Sequence, residues 1–291
     1  MSELKVQFSG GLGNQLFTYV AFKHFADSYG KELTLDCSVV ERVLRRDADI
    51  LYFRLGGEKI IRECDVSIFD DYFSRISWRN SATRKLTKRM LYPNLNDDFN
   101  PAYSFSAKSN RGFFQTSKYY EVFRLTHGEN FFALNRESER FKILKSEVLE
   151  VQPIAIHVRR GDYRDYNNSF GLLESRYFTA AISRLNDLHG ERPIWVFSDE
   201  PDSVTEEFRK TNLKVSRFVK PSEMNAPETL KLMSLAHSQV ISNSTFSWWA
   251  GALSKGQRVV YPEPWFKINE GWLRNKELPL SNWVAQKAIW W

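Results

Sequence analysis

The chain has 291 residues, 42% hydrophobic and 26% charged, an ordinary globular usage that excludes a disordered tract as the default. Its net charge of +6 points to an anionic partner, whether a phosphate-bearing small molecule, an acidic membrane surface or nucleic acid. Two cysteines, Cys37 and Cys64, make neither a disulfide framework nor a zinc-ligand spacing. The start of the chain carries no signal segment, and no window is apolar for the about 18 residues that a spanning helix needs. A cytoplasmic location is expected, with peripheral contact at the inner face of a membrane left open. Nine tryptophans serve either a core or sugar-facing surfaces.

Residues 4–8 alternate and predict a first strand. The glycine turn Ser9-Gly10-Gly11-Leu12-Gly13 follows. A helix is predicted over 14–29, with Phe17, Val20, Ala21 and Phe25 at helical spacing and Gly30 as its C-cap. Residues 32–36 predict a second strand, so the chain opens as an α/β layer. From 39 to 110 the pattern is weak. Short apolar pieces stand at Ile60-Ile61 and Ser67-Ile68-Phe69, and a basic run extends from Arg75 to Arg89 without an acid. That run is either a solvated face or a contact for an acidic carrier or lipid headgroup.

Residues 135–150 predict a charged amphipathic helix. Regular alternation follows, with strands at 153–159, 193–198, 213–218, 239–242 and, last, 257–261. Helices are predicted at 174–188, 201–210, 227–236 and 245–253. This order means βαβ units and a parallel sheet. A boundary near 150 divides the chain into an N-terminal α/β domain, 1–150, and a Rossmann-like domain, 151–291.

Open α/β sheets bind ligands at the C-terminal ends of their strands, and three predicted strand ends carry polar residues. The first holds His157, Arg159, Arg160 and Asp162. Alternation puts His157 and Arg159 on one face, which makes Arg159 the better arm for an anion. Arg160 is expected to bridge to Asp162, and Asp162 is either structural or a general base. The second holds Ser198 and Asp199, which either accept bonds from a nucleoside or cap the helix begun at Pro201. The third runs from Asn243 through Ser244 and Thr245 to Phe246, ahead of Trp248 and Trp249. Free N–H groups and the positive dipole end of a helix hold an anion there.

The opening turn fails as a dinucleotide fingerprint because the full G-x-G-x-x-G is missing. Gly11, Asn14 and Gln15 instead put amides at a helix N-terminus, suited to sugar hydroxyls or phosphate oxygens. Asp47-Ala48-Asp49 follows no strand, and Asp70-Asp71 and Asp97-Asp98 lack partner histidines, so no metal site is expected. His24, His127, His189 and His237 are expected to be structural or exposed.

Segments 10–17, 157–163, 197–199 and 241–249 occur in this order, and with them the chain resembles the α-1,2-fucosyltransferases of glycosyltransferase family 11. The resemblance implies an α/β, GT-B-like fold of two Rossmann-like domains facing a cleft, the first on the acceptor side and the second binding GDP-β-L-fucose. It implies inverting, metal-independent transfer of L-fucose to the 2-hydroxyl of a terminal galactose. The acceptor would be an oligosaccharide or a glycolipid, with no cofactor beyond the donor substrate.

On the same resemblance, Arg159 neutralises the β-phosphate, Asp162 is the candidate base, and Asn14 approaches from the opposite domain. His157, Ser198 and Asp199 lie at the donor's nucleoside. Asn243, Ser244, Thr245, Phe246, Gly11 and Gln15 hold its pyrophosphate and sugar, and Trp248 and Phe170 face the acceptor. The chain departs from the family pattern at Phe170-Gly171, where many members carry His-Gly, and at Glu228-Thr229, where they often carry Asp. Acceptor handling and the base are thereby left open. Competing expectations are another GDP-sugar donor and a non-catalytic glycan-binding protein. A nucleic-acid partner is not expected, since the run from Arg75 to Arg89 holds one aromatic, Trp78, for stacking.

Overall fold

The computed structural model describes residues 3–43, 47–62, 112–128, 130–256, 258–268 and 277–291. Cys64, the basic run from Arg75 to Arg89, Asp70-Asp71 and Asp97-Asp98 lie outside the described residues. The chain divides into two compact units, Met1–Ala133 and Leu134–Trp291.

In the first unit, β1 (Glu3–Gln7), β2 (Glu32–Asp36) and β3 (Lys59–Ile61) form a parallel sheet in that order. Among the described residues, the Ile60-Ile61 piece is thus the edge strand of this sheet. Between β1 and β2 runs α1 (Leu12–Ser28), and its aromatic side chains Phe17, Tyr19, Phe22 and Phe25 are buried. Phe22 meets Phe114 edge-on at 5.1 Å, and Phe25 meets Tyr119 of α2 (Ser117–His127) at 5.4 Å. Such edge-to-face pairs add to the area term that drives burial.

The second unit begins with α3 (Glu139–Val151) and β4 (Ile154–Val158). It continues through α4 (Ser175–His189), β5 (Ile194–Ser198), α5 (Pro201–Arg209) and β6 (Val215–Val219). Then come α6 (Ala226–Ser234), β7 (Ser238–Val240), α7 (Thr245–Ala252), β8 (Arg258–Glu263) and β9 (Val284–Lys287). Six parallel strands lie in the order β6-β5-β4-β7-β8-β9. This is the doubly wound dinucleotide-fold order, and it reverses between β4 and β7. Every residue of β4 and β5 is buried, as strands covered on both faces must be. Ile154, Ile156, Val158, Val196 and Val240 meet Phe178, Ile182 and Phe208 from the helices in one core.

Two expectations change. The strand at 258–263 is not the last, because β9 pairs in parallel with it. Val284–Lys287 has no apolar run, and pairing with β8 rather than composition makes it a strand. Secondly, α3, placed ahead of the expected boundary near 150, belongs to the second unit. Ser138, its N-cap, donates from its backbone N–H and its hydroxyl to Glu228 of α6 at 2.6 and 3.1 Å. The chain's end packs on the same unit, with Trp291 N–H donating to the Leu172 carbonyl at 3.0 Å. Among the described residues no helix is long and apolar enough to cross a membrane.

Tyr177 of α4 is fully buried and donates its hydroxyl to the Ile241 carbonyl at 2.9 Å, tying the helix to the chain beyond β7. Tyr177→Phe leaves that carbonyl unsatisfied and is expected to cost about 1–3 kcal/mol, read from urea or thermal unfolding.

Candidate active site at the switch point

The chain leaving β4 enters the short 3₁₀ turn Gly161–Arg164, and the chain leaving β7 reaches α7 through Ile241–Ser244. Ligands bind in α/β sheets where the strand order reverses, and these two segments flank that position. Direct bonds join them. Tyr163 donates its hydroxyl to the Asn243 carbonyl at 2.9 Å, and His157 Nδ1 lies 3.0 Å from Ser242 Oγ. The His157 ring packs on Phe246 at 5.3 Å.

Arg159 sits over the Tyr163 ring at 5.5 Å and between two carboxylates. Its Nη2 is 2.5 Å from Asp162 Oδ1, and its Nη1 is 2.9 Å from Asp199 Oδ2. Burial opposes its charge, but Asp199 and Asp162 outweigh that and hold the guanidinium above its usual range. Its Nε is buried and has no partner among the described residues. A guanidinium with one unsatisfied donor and two carboxylate contacts can take a further anion in exchange for one of those carboxylates.

The expected Arg160–Asp162 bridge does not form. Arg160 is buried and makes a bidentate pair with Glu207 of α5, at 2.9 and 2.7 Å from Nη2, so Asp162 falls to Arg159. Neither Ser198 nor Asp199 caps α5, whose N-cap is Glu200 without a side-chain bond. Ser198 Oγ accepts from Glu200 N–H at 3.0 Å. Asp199 Oδ1 accepts from Arg160 N–H at 2.9 Å, across the β4–β5 pair. A Cβ on Gly161 would come within 2.4 Å of Asp199 Oδ2, so only glycine lets that carboxylate approach.

Burial, then the neighbouring Arg159 charge, hold the His157 imidazole down to about 3, so it stays neutral. Ser244 is the N-cap of α7, accepting from Phe246 N–H at 3.3 Å, and Thr245 and Phe246 are half-buried beside it. Asn243 is turned to structure, its amide donating to the Phe170 and Gly171 carbonyls at 2.8 and 3.3 Å. Phe170 stands half-buried between Tyr163, at 5.1 Å, and Phe266, at 5.8 Å. Trp248, expected at the acceptor, is fully buried and donates its indole N–H to Leu278 at 2.6 Å. It offers no surface to a ligand.

In the first unit, Gly11 is the N-cap of α1 and Gly10 adopts φ 74. A Cβ on Gly10 would meet Asn14 Nδ2 at 2.6 Å. Gln15 is fully buried and holds backbone rather than ligand, donating to Gly10 O and accepting from Ile50 N–H, both at 3.1 Å. Asn14 is half-buried, with its Oδ1 accepting from Gln115 at 3.0 Å. His127 pairs with Asp27 at 2.9 Å. No three His, Cys, Asp or Glu side chains among the described residues are grouped to hold a metal ion. Sequence reading gave no role to Glu207, Gly161, Tyr163 or Gln115. Gly161 and Tyr163 lay within the quoted segment, but nothing local marked Glu207 or Gln115.

Arg160 is buried and Glu207 partly so, and removing the guanidinium strands the carboxylate, so Arg160→Ala is expected to cost about 2–3 kcal/mol in unfolding. Gly161→Ala is expected to displace Asp199, loosening Arg159 while changing the melting temperature less than Arg160→Ala does. An unfolded histidine binds its proton near 6.5, whereas folded His157 refuses it until about 3. Stability present above that window is therefore lost as pH falls through it, and His157→Gln is expected to flatten this acid limb in pH-dependent unfolding.

The sequence profile of glycosyl transferase family 11 matches residues 71–286. An alpha-1,2-colitosyltransferase from Escherichia coli is 26% identical over 280 residues, covering 93% of this chain and 94% of its own. A galactoside 2-alpha-L-fucosyltransferase from Caenorhabditis elegans is 36% identical over 114 residues, covering 36% of this chain and 31% of its own. Among solved structures, the fucosyltransferase NodZ from Bradyrhizobium is similar with TM-score 0.56 at 16% identity, over 91% of this chain and 96% of that one. That likeness is one of fold, and the α/β, GT-B-like expectation holds, with a parallel sheet in each unit. The family match spans well over half of the chain, and the protein belongs to glycosyl transferase family 11.

Proposed function

We propose that this glycosyltransferase moves L-fucose from GDP-β-L-fucose to the 2-hydroxyl of a terminal galactose, inverting the anomeric carbon without a metal ion. The observation that carries this reading is Arg159, unsatisfied at Nε among the described residues and lying over Tyr163, whose hydroxyl is bonded to the segment that leads into α7 at the sheet's switch point. As the anomeric C–O bond to the diphosphate breaks, negative charge grows on the leaving group. Arg159 and the positive dipole end of α7 at Thr245 meet that charge, which stabilises the transition state more than the ground state. The acceptor oxygen attacks the opposite face, and its proton passes to a carboxylate. Asp162, 56% exposed at the site's edge, is the proposed base.

His157, neutral and packed on Phe246, is assigned to shape the donor pocket without adding charge. Ser198 and Asp199 border it, and the half-buried Phe170 ring offers an apolar face to the acceptor sugar. Asn14 is the group of the first unit proposed to bind donor or acceptor oxygens. The acceptor is a galactose-terminated oligosaccharide or glycolipid. Both named relatives carry a 1,2-type linkage in their descriptions, which supports that regiochemistry. The colitosyltransferase matches over 93% of this chain, which favours a second reading with another nucleotide-linked deoxysugar as donor.

Arg159→Ala is expected to lower transfer about 100-fold or more, while the half-exposed ion pairs it loses shift stability by only about 1 kcal/mol. The assay uses GDP-fucose, GDP-colitose and GDP-mannose with galactosides, in EDTA. Near-normal turnover in the variant overturns the phosphate role, dependence on added metal overturns the metal-free mechanism, and preference for GDP-colitose selects the second reading.

A further inference from the structure

Around the ends of β4 and β5, each guanidinium already faces a carboxylate. Arg160 meets Glu207, Arg164 meets Glu200, and Arg159 meets both Asp162 and Asp199. His157 is neutral and adds nothing. Among the described residues, carboxylates therefore outnumber guanidiniums here, and as it stands the cluster repels a diphosphate. One carboxylate must give way before the donor can bind.

The geometry selects which one. Asp199 is fixed, since it accepts from Arg160 N–H as well as from Arg159 and sits in the space left by Gly161. Asp162 is 56% exposed and is held by Arg159 alone among the described residues. The donors of Arg159 also differ. Asp199 takes Nη1, Asp162 takes Nη2, and Nε is buried and unmatched. A phosphate bound side-on to a guanidinium uses the Nε and Nη2 edge through two parallel bonds. Such a phosphate satisfies the orphaned Nε, leaves Asp199 undisturbed and evicts Asp162.

We infer that Asp162 is a gate as well as the base: donor diphosphate displaces it from Arg159, and only then is its carboxylate available to the acceptor hydroxyl. The inference rests on the phosphate role proposed above for Arg159. It orders the substrates, donor before acceptor. While Asp162 Oδ1 is held 2.5 Å from the Arg159 guanidinium, that oxygen is occupied and is not placed to take a proton from a hydroxyl. Once released, it takes the proton of the galactose 2-hydroxyl as the new C–O bond forms and the C–O bond to the diphosphate breaks.

The test is calorimetric binding of GDP to the full chain and to Asp162→Asn, Asp162→Ala and Arg159→Ala, beside transfer assays on the same proteins. Both Asp162 variants are expected to bind GDP about fivefold more tightly than the parent, the ratio for removing one half-exposed competing ion pair. Their transfer rate is expected to fall. Tighter product binding with slower transfer is a pattern that a merely structural residue does not produce. If GDP binds both Asp162 variants no more tightly than the parent while Arg159→Ala has lost affinity, the gate is overturned and the phosphate role stands. If Arg159→Ala binds GDP as the parent does, both fall.

Discussion

A single carboxylate, Asp199, couples the ends of two neighbouring strands, and the arrangement of the site depends on it. It sits beyond β5 and accepts both the backbone N–H of Arg160 and the guanidinium of Arg159 beyond β4. The parallel register that places Val158 beside Ser198 brings these groups into range. Three consecutive residues then divide the work. Arg159 is held out at the strand end with donors to offer, Arg160 turns inward and anchors on Glu207, and Gly161 leaves the space that Asp199 fills. A substitution at Arg159 or Gly161 reaches the other through that carboxylate.

The surrounding chemistry follows from where the sheet reverses. The turn after β4 and the segment after β7 are far apart in sequence yet bonded through Tyr163 and Asn243, and through His157 and Ser242. The start of α7 is linked to the turn that carries the guanidinium, since Tyr163 lies under Arg159 and bonds to Asn243. The helix dipole there is fixed and needs no reorganisation as charge develops on a leaving group. His157 lies within this ring of polar groups but stays neutral, because burial and Arg159 both oppose its protonation. It contributes shape and a hydrogen bond to Ser242 rather than charge.

Several residues with a polar signature are turned toward the protein itself. Gln15 and Asn243 each use their amides to hold backbone, Gln15 at the opening turn and Asn243 at Phe170-Gly171. Trp248 lies in the core with its indole N–H matched. An amide or indole at a strand end has the same composition whether it faces a ligand or a carbonyl. Local sequence carries no information on which neighbour arrives first.

The amino-acid sequence by itself determined the parallel α/β character, the succession of strands and helices from 153 to 261, and the cluster of candidate residues at the strand ends. These depend on local periodicity and on segments short enough to be read whole, since strands buried on both faces are uninterrupted apolar runs. Only the tertiary structure decided which arginine is presented and which is locked away, because the choice depends on Glu207, remote in sequence. It alone placed α3 with the second unit and made Val284–Lys287 a strand, through Glu228 and β8 respectively. Charge pairing and strand partnership are set by distances between remote segments, and no local pattern encodes those distances.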